Sequence, residues 1–469
     1  MFCNLEQGVT VKTLARQPCI ETAGAAMPVA ATELHLFASG DSARRPNIVF
    51  VFADQMRADA MGCMGNKQVS TPHLDKLASD GVLVTNAISA QPVCTPYRAQ
   101  LLTGRYGHST GVIHNDIRLP DSEVVISELM KRQGYATGYI GKWHLSGDRM
   151  DPIDAKNRRG WDYWAVRNCS HEHFIPEYCL NDSRELVRVP GWEPDVQTEL
   201  AVEFINKCKQ VPFCLFLSFG PPHYPYKAPA NYVELYKGMK LTERPNVPDN
   251  FTEKLLQYYA MTTSLDTCVG RISAALSEAG VSDDTIFIFT SDHGDMLGSQ
   301  GHGFGKQRPW EESIHIPFIL RYPRKVKAGQ RRDWIISSVD VMPTLLGFCG
   351  ISIPENVQGL DYSATITGDS KAERNAAFLF LVQYKNAEGT TTDWRGIRTK
   401  DWTYAYHFAG DWVMYDLRND PYQLKNLIDD PEFADRKKEL RHQLDSMRED
   451  LGESLTLKGT MPAPIRLPS

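Results

Sequence analysis

The chain has 469 residues, of which 42% are hydrophobic and 10% aromatic, enough to bury a large core and, at ordinary domain sizes, to make two domains. Its formal net charge is −6, which argues against nucleic acid or an anionic membrane as the main partner. Any anionic ligand has to be drawn in by a local basic site.

Residues 1–45 differ in texture from the rest of the chain. Lys12 and Arg16 precede a run of small residues, Ala23 to Ala31, as at the end of an export signal, although Cys19, Glu21 and Thr22 break the hydrophobic region and no twin arginine is present. A periplasmic or secreted protein is the expectation, with a cytoplasmic one the alternative. No apolar run reaches the roughly eighteen residues that span a bilayer, so no membrane span is expected and a soluble protein is. The ten cysteines, at positions 3, 19, 63, 94, 169, 179, 208, 214, 268 and 349, form no CxxC pair or zinc-like cluster. A disulfide framework is not expected, although Cys169 and Cys179 could pair across a loop.

The continuous apolar run Asn47 to Ala53 reads as a strand buried on both faces, ending in Asp54. A helix at Pro72 to Ser79 and a strand at Val82 to Val84 lead to Cys94-Thr95-Pro96-Tyr97-Arg98. Thr95 can cap a helix there, Pro96 suits its first turn, and Thr103-Gly104 can stop it. Cys94 would then sit at the positive end of the helix dipole with Arg98 one turn on, so that a negatively charged atom at position 94 is held. Further helices are expected at Ser122 to Arg132, Thr198 to Cys208, Phe251 to Ala279 and Asp340 to Phe348. Strands are expected at Tyr135 to Ile140, Phe213 to Phe219, Thr285 to Thr290 and Ile316 to Tyr322. This alternation predicts an α/β fold with a large, mostly parallel mixed sheet sandwiched by helices, and the polar clusters fall at strand ends, where such sheets bind ligands. Beyond about Gly368 come short aromatic strands and a charged helix, Phe433 to Leu451, which predict a smaller antiparallel C-terminal sheet with one helix. The expected division is an N-terminal segment 1–45, a catalytic domain 46–367 and a C-terminal subdomain 368–469.

Asp54 follows one strand and Asp292-His293 another, two carboxylates and an imidazole that could meet as a divalent-cation site. Lys142 and His144 follow the strand at Tyr135, where alternate residues of an extended chain point the same way. His223 stands in the proline-rich turn 221–225, and Lys306 in the glycine-rich loop 301–306.

Cys94-Thr95-Pro96-Tyr97-Arg98, with Leu102-Thr103-Gly104-Arg105 behind it, resembles the signature of the type I sulfatases, members of the alkaline phosphatase superfamily, and the similarity runs from about Asn47 to about Leu427. The resemblance implies that a separate formylglycine-generating maturation enzyme oxidises Cys94 to Cα-formylglycine, whose hydrated aldehyde is the nucleophile. It implies Asp54, Gln55, position 94, Asp292 and His293 as metal ligands, and Arg98, Lys142, His144, His223 and Lys306 as catalytic or substrate-binding residues. In that scheme His223 protonates the leaving group, Asp292 is the base for attack and His144 the base that regenerates the aldehyde. Gln55 and His293 stand where relatives often carry Asp and Asn. A neutral amide and a nitrogen ligand bring manganese, magnesium or zinc into contention, with calcium still first. The function expected is hydrolysis of a sulfate ester, on a carbohydrate. The alternatives are a phosphonate or phosphate ester hydrolase using the same aldehyde, and a non-catalytic binder of sulfated glycans. The segment Trp161 to Trp192 and the loop Tyr236 to Asn250 are expected to shape the leaving-group pocket; their aromatic rings could stack on sugar faces, with structural packing an equally good reading.

Overall fold

The apolar run after Arg45 forms the middle of a large sheet because its side chains can be buried on both faces. A computed structural model describes residues 45–147, 153–302, 305–382 and 393–458. The segment read as an export signal, Cys3, Cys19, and Gly303-Phe304 of the glycine-rich loop lie outside the described residues.

The strands of the large sheet are β1 (Asn47–Asp54), β2 (Val82–Ile88), β3 (Ala136–Lys142), β4 (Tyr163–Arg167), β5 (Glu177–Leu180), β6 (Leu186–Arg188), β7 (Phe213–Pro222), β8 (Thr285–Ser291), β9 (His315–Ile316), β10 (Phe318–Arg321) and β11 (Gln330–Ser337). Their order is β11-β2-β10-β8-β1-β7-β3-β4-β5-β6, with β9 paired to β2. Neighbours from β8 through β4 are all parallel, whereas β10 runs antiparallel to both β8 and β2. The sheet is therefore mixed but mostly parallel, as expected.

Alternate residues of the central strands feed two cores. Val49, Val51, Leu215, Leu217, Phe287 and Phe289 pack against the helices Pro72–Ser79, Glu193–Cys208 and Thr252–Glu278. On the opposite face, Ile48, Phe50, Phe52, Phe216 and Ile288 meet the helices Cys94–Thr103, Ile126–Arg132 and Val341–Cys349. A separate antiparallel sheet comes next: β12 (Ala376–Leu381), β13 (Trp394–Thr399), β14 (Trp402–His407) and β15 (Gly410–Asp416). Phe378, Ile397, Tyr404 and Met414 pack on Leu440 and Leu444 of the single helix Ala434–Asp450. Its other face lays Leu379, Trp394 and Val413 against Val93, Trp310 and Ile314 of the first unit.

Two local expectations are corrected, and the aromatic residues of a third segment are located. The helix bearing Cys94 begins at Cys94 itself, with Val93 at the cap position and Thr95 inside the first turn. Thr95 needs no side-chain cap, because its amide donates to Asn115 Oδ1 of a neighbouring loop at 3.0 Å. The segment Trp161 to Trp192 is largely structure: it contributes β4, β5 and β6, and Trp161, Trp164, Tyr178 and Trp192 are core residues. Cys169 and Cys179 are both free and buried, so no disulfide closes that loop.

Candidate active site

Four adjacent parallel strands deliver the site. β1 ends in Asp54, β3 in Lys142, β7 just before His223 and β8 just before Asp292, so the central order β8-β1-β7-β3 sets these side chains side by side at one edge. The Cys94–Thr103 helix points its first residue at that edge. Gly141 is required there: its φ is +101°, and a Cβ on it would lie 2.0 Å from the Ser218 carbonyl oxygen of the neighbouring strand.

Cys94 is the centre of the arrangement. Its Sγ, which occupies the place of an oxygen of the matured residue, is 2.9 Å from Lys306 Nζ, 3.5 Å from Lys142 Nζ and 3.3 Å from His293 Nε2, with Asp54 Oδ1 at 3.7 Å. Burial and the Asp54 charge oppose a thiolate here, yet Lys142, Lys306 and His293 together pull the Cys94 pKa well below its ordinary value. The pocket is built to hold negative charge at position 94. Arg98, one turn on and 1% exposed, forks across the site. It donates to the Lys142 carbonyl at 2.6 Å and Ser218 Oγ at 2.7 Å, and it lies 3.4 Å from Asp54 Oδ2 and 3.2 Å from Asp292 Oδ2. Only a guanidinium can serve that many acceptors from one plane.

A ligand atom from each of Asp54, Cys94, Asp292 and His293 lies within 4.8 Å of the others, all buried. The chemistry of these donors fits a divalent ion. His293 Nδ1 donates to the Gly294 carbonyl at 2.9 Å, which leaves the Nε2 lone pair facing Asp54 and Asp292, at 3.6 and 3.4 Å. Burial favours a neutral Asp54, but Lys142, whose Nζ donates to its Oδ2 at 2.6 Å, and then His223, Lys306 and Arg98 hold its pKa well below the usual range. Asp292 moves the other way, raised by burial and then by the Asp54 charge, the repulsion that a bound cation relieves. Gln55, in the left-handed region at φ +70°, gives its side-chain amide nitrogen to Asp295 Oδ2 at 2.7 Å, while its Oε1 is buried with no hydrogen-bond partner. An orphaned acceptor next to the cluster suits a ligand role.

Lys306 Nζ also lies 3.3 Å from His223 Nε2. His223 Nδ1 donates to the Tyr224 carbonyl at 2.7 Å, so Nε2 faces the site. Burial, then Lys306, keep the His223 pKa well below 6.5, and the ring of His171 stacks on it at 3.9 Å between centroids. His144 does not sit as strand alternation predicts, because β3 stops at Lys142 and His144 takes φ +57°. Its Nε2 meets Asp116 Oδ1 at 3.0 Å. Burial and Lys142 work against its charge, but Asp116 and Cys169 raise its pKa to about 9. In this arrangement its neighbours favour the protonated ring. His302, four residues before Lys306, packs on Trp310, with ring centroids 5.4 Å apart.

Several contributors had no catalytic or binding role assigned from sequence. Asp295 anchors the Gln55 amide, the Tyr226 hydroxyl at 2.5 Å and the Gly305 amide at 3.0 Å, tying the metal-site loop to the Lys306 loop. Its signal was a third acidic residue three positions past Asp292. His173 bridges Glu193 Oε2 at 2.7 Å and the His223 carbonyl at 3.1 Å. Asp116, Ser218 and Cys169 carried no local pattern.

Comparison with known proteins agrees with this geometry. Residues 46–351 match the family profile described as Sulfatase, and residues 300–450 match N-sulphoglucosamine sulphohydrolase, C-terminal. An ulvan-active sulfatase of Formosa agariphila is 38% identical over 424 residues, covering 88% of this chain and 83% of that protein. The Bacteroides fragilis protein yidJ, assigned as a sulfatase, has a crystal structure that superposes with a TM-score of 0.81 at 32% identity, covering 89% of this chain and 98% of that one. The phosphonate monoester hydrolase of Agrobacterium radiobacter shares the fold with a TM-score of 0.72 at 25% identity, over 87% of this chain and 96% of that one. The family implies a metal and a formylglycine at Cys94, and the site has a place for both. This chain belongs to the sulfatase family and is a sulfuric ester hydrolase.

Proposed function

We propose that the sulfate ester it hydrolyses is carried by a saccharide, that the ion is calcium, and that a formylglycine-generating enzyme matures Cys94. The observation that carries the sulfate chemistry is the convergence of Lys142 and Lys306 on position 94, with Arg98 pairing Asp54 and Asp292 beside them. Support for a saccharide comes from the ulvan-active relative and from Tyr224, a 38% exposed ring packed beside His223, where a sugar face could stack. Calcium is favoured by the oxygen donors Asp54, Asp292 and Gln55, with His293 the one nitrogen.

The roles of the side chains follow from their contacts. Asp54, Asp292, His293, Gln55 and the residue at 94 would hold the ion, which supplies Lewis-acid stabilisation of charge on the sulfuryl oxygens. The aldehyde hydrate at 94 supplies a nucleophile whose second hydroxyl lets sulfate be expelled, a step a serine could not perform. Lys142 and Lys306 are preorganised cations, aimed where charge builds on the transferring group. Arg98 pins the Lys142 backbone and the two carboxylates, so that Lys142 Nζ keeps its direction. His223 gives the proton to the departing oxygen. An anionic ester lodged between it and Lys306 offsets the lysine charge that holds its basicity down, so the imidazole gains its proton when substrate is present.

A second reading, phosphonate ester hydrolysis, is favoured by one feature, the Asp292-His293 pair with neutral Gln55, which leaves the metal site less negative than a three-carboxylate set. Turnover of matched aryl sulfate and aryl phosphonate esters, together with a panel of defined sulfated saccharides assayed for released sulfate, tests the proposal. Release from at least one saccharide with sulfate preferred over phosphonate is expected. A clear phosphonate preference would overturn it.

A further inference from the structure

Beside the groups of the hydrolytic scheme lies a buried nucleophile that the scheme leaves idle, Cys169. Backbone pairing carries on past the ends of β3 and β4: the Trp143 amide donates to the Arg167 carbonyl at 2.9 Å and the His144 amide to the Asn168 carbonyl at 2.7 Å. That ladder fixes Cys169 next to His144. The His144 ring is 3% exposed. With Nε2 committed to Asp116, its Nδ1 is buried with no hydrogen-bond partner, and Cys169 lies near enough to raise the pKa of the ring. On the far side Cys169 Sγ is 3.9 Å from His171 Nε2, and Lys142 adds its charge. Carboxylate, imidazole and sulfur are thus neighbours, Asp116 to His144 to Cys169, with a second imidazole and an ammonium near the sulfur.

We propose that Cys169 is a reactive thiolate beside the sulfate position, a modification site at which a small soft electrophile forms a thioether and stops turnover. Burial opposes its ionisation, but Lys142, His144 and His171 more than offset this and bring its pKa to about 4. Three other described thiols go the opposite way: Cys349 is pushed up to about 11, and Cys63 and Cys268 to about 12, by burial first. Once Cys94 has become formylglycine, Cys169 is the thiol that remains among the described active-site groups. With an alkyl halide such as iodoacetamide the sulfur lone pair attacks the CH2 carbon, the C–S bond forms, the C–I bond breaks and iodide leaves. The sulfur has no proton to shed, and His144 keeps its own.

The size of the effect follows from two opposing terms. At pH 6 a thiol of pKa about 11 is ionised in only about one molecule in 10⁵, while its greater intrinsic nucleophilicity returns about 10³ of that. Cys169 should therefore be alkylated about a hundredfold faster than Cys349.

The test treats the formylglycine-bearing holoenzyme with iodoacetamide at pH 6 and follows carbamidomethylation by peptide mass spectrometry alongside aryl sulfate turnover, with and without inorganic sulfate. Labelling of Cys169 ahead of every other cysteine, loss of activity in step with it, slowing by sulfate, and no further loss in Cys169→Ser relative to that variant's own starting rate are the expected results. Labelling that begins elsewhere, complete labelling of Cys169 without loss, or equal inactivation of Cys169→Ser would each overturn the proposal. The loss of turnover rests on the sulfatase reading of Lys142, but the labelling order does not, so the two can fail separately.

Discussion

Replacing Lys306 by methionine should produce two linked changes in the matured enzyme. Lys306 Nζ is 2.9 Å from the atom at position 94 and 3.3 Å from His223 Nε2, so one substitution removes a charge from the reacting centre and from its proton donor. Deleting a preorganised donor of this type typically costs about 10²–10³ in kcat. The second change has a sign. Burial, then Lys306, hold the His223 pKa down, and a unit charge about 4 Å away is worth about 4 kcal/mol at an effective dielectric constant of 20. A third of that, allowing for relaxation and water entry, is about one pH unit. Activity falls as His223 loses its proton, so in Lys306→Met that limb of the kcat profile should move to higher pH by about one unit, even as the plateau drops. Stopped assays of an aryl sulfate across the pH range measure both. A plateau within threefold of the parent, or a limb that does not move, would refute the assigned contacts.

Chelation of the ion should abolish turnover and lower the unfolding temperature, because Asp54 and Asp292 are then left buried together; a ligand at a hundred times its Kd contributes about 2.7 kcal/mol. Differential scanning fluorimetry with calcium, magnesium and manganese added back ranks the ions, and calcium is expected to restore most. His173→Ala should reduce kcat about tenfold while leaving KM within twofold, because His173 holds the His223 carbonyl and Glu193 and not the substrate; an effect on KM alone would count against that role. Glu453→Gln should cost about 3–5 kcal/mol in urea unfolding, since it strips the partner from Arg395, which is fully buried. Burial opposes ionisation of Glu453, yet Arg395 and Arg448 hold its pKa below 4.5. Its contribution is therefore present above pH 4.5 and lost as pH falls through the lowered value, and the variant should show a shallower decline in stability in acid.

The strand ends were legible because a parallel strand buried on both faces is an apolar run that stops abruptly at the first residue allowed to be polar. Asp54 and Asp292 mark such stops, and the Cys94 motif carried its own signal. Three things were hidden. Trp161, Trp164 and Tyr178 could be read equally as a pocket wall or as core, because aromatic composition does not distinguish the two, and here they support β4 and β5. His144 was placed by strand alternation, which fails where the backbone turns left-handed immediately after β3. Asp295, Asp116 and Cys169 act through contacts across long sequence separations, for which one sequence has no periodicity to read.

The charges of the site and of the whole chain oppose one another, and this makes a final outcome predictable. Asp54 and Asp292 face Lys142, Lys306 and Arg98, so the pocket is positive before any ion is added, while the chain as a whole carries −6. At an ionic strength of about 0.01 M the Debye length is about 30 Å, and an approaching sulfate ester feels the repulsive net charge; at about 0.15 M it is about 8 Å, and only the pocket remains in view. Buried pairs are screened little at either, so kcat should stay constant. For an anionic substrate, kcat/KM should therefore hold level or rise modestly between those two concentrations of sodium chloride, instead of falling as it does for a broadly basic protein. A steep fall would mean that attraction begins far outside the pocket, on a surface whose composition does not provide it.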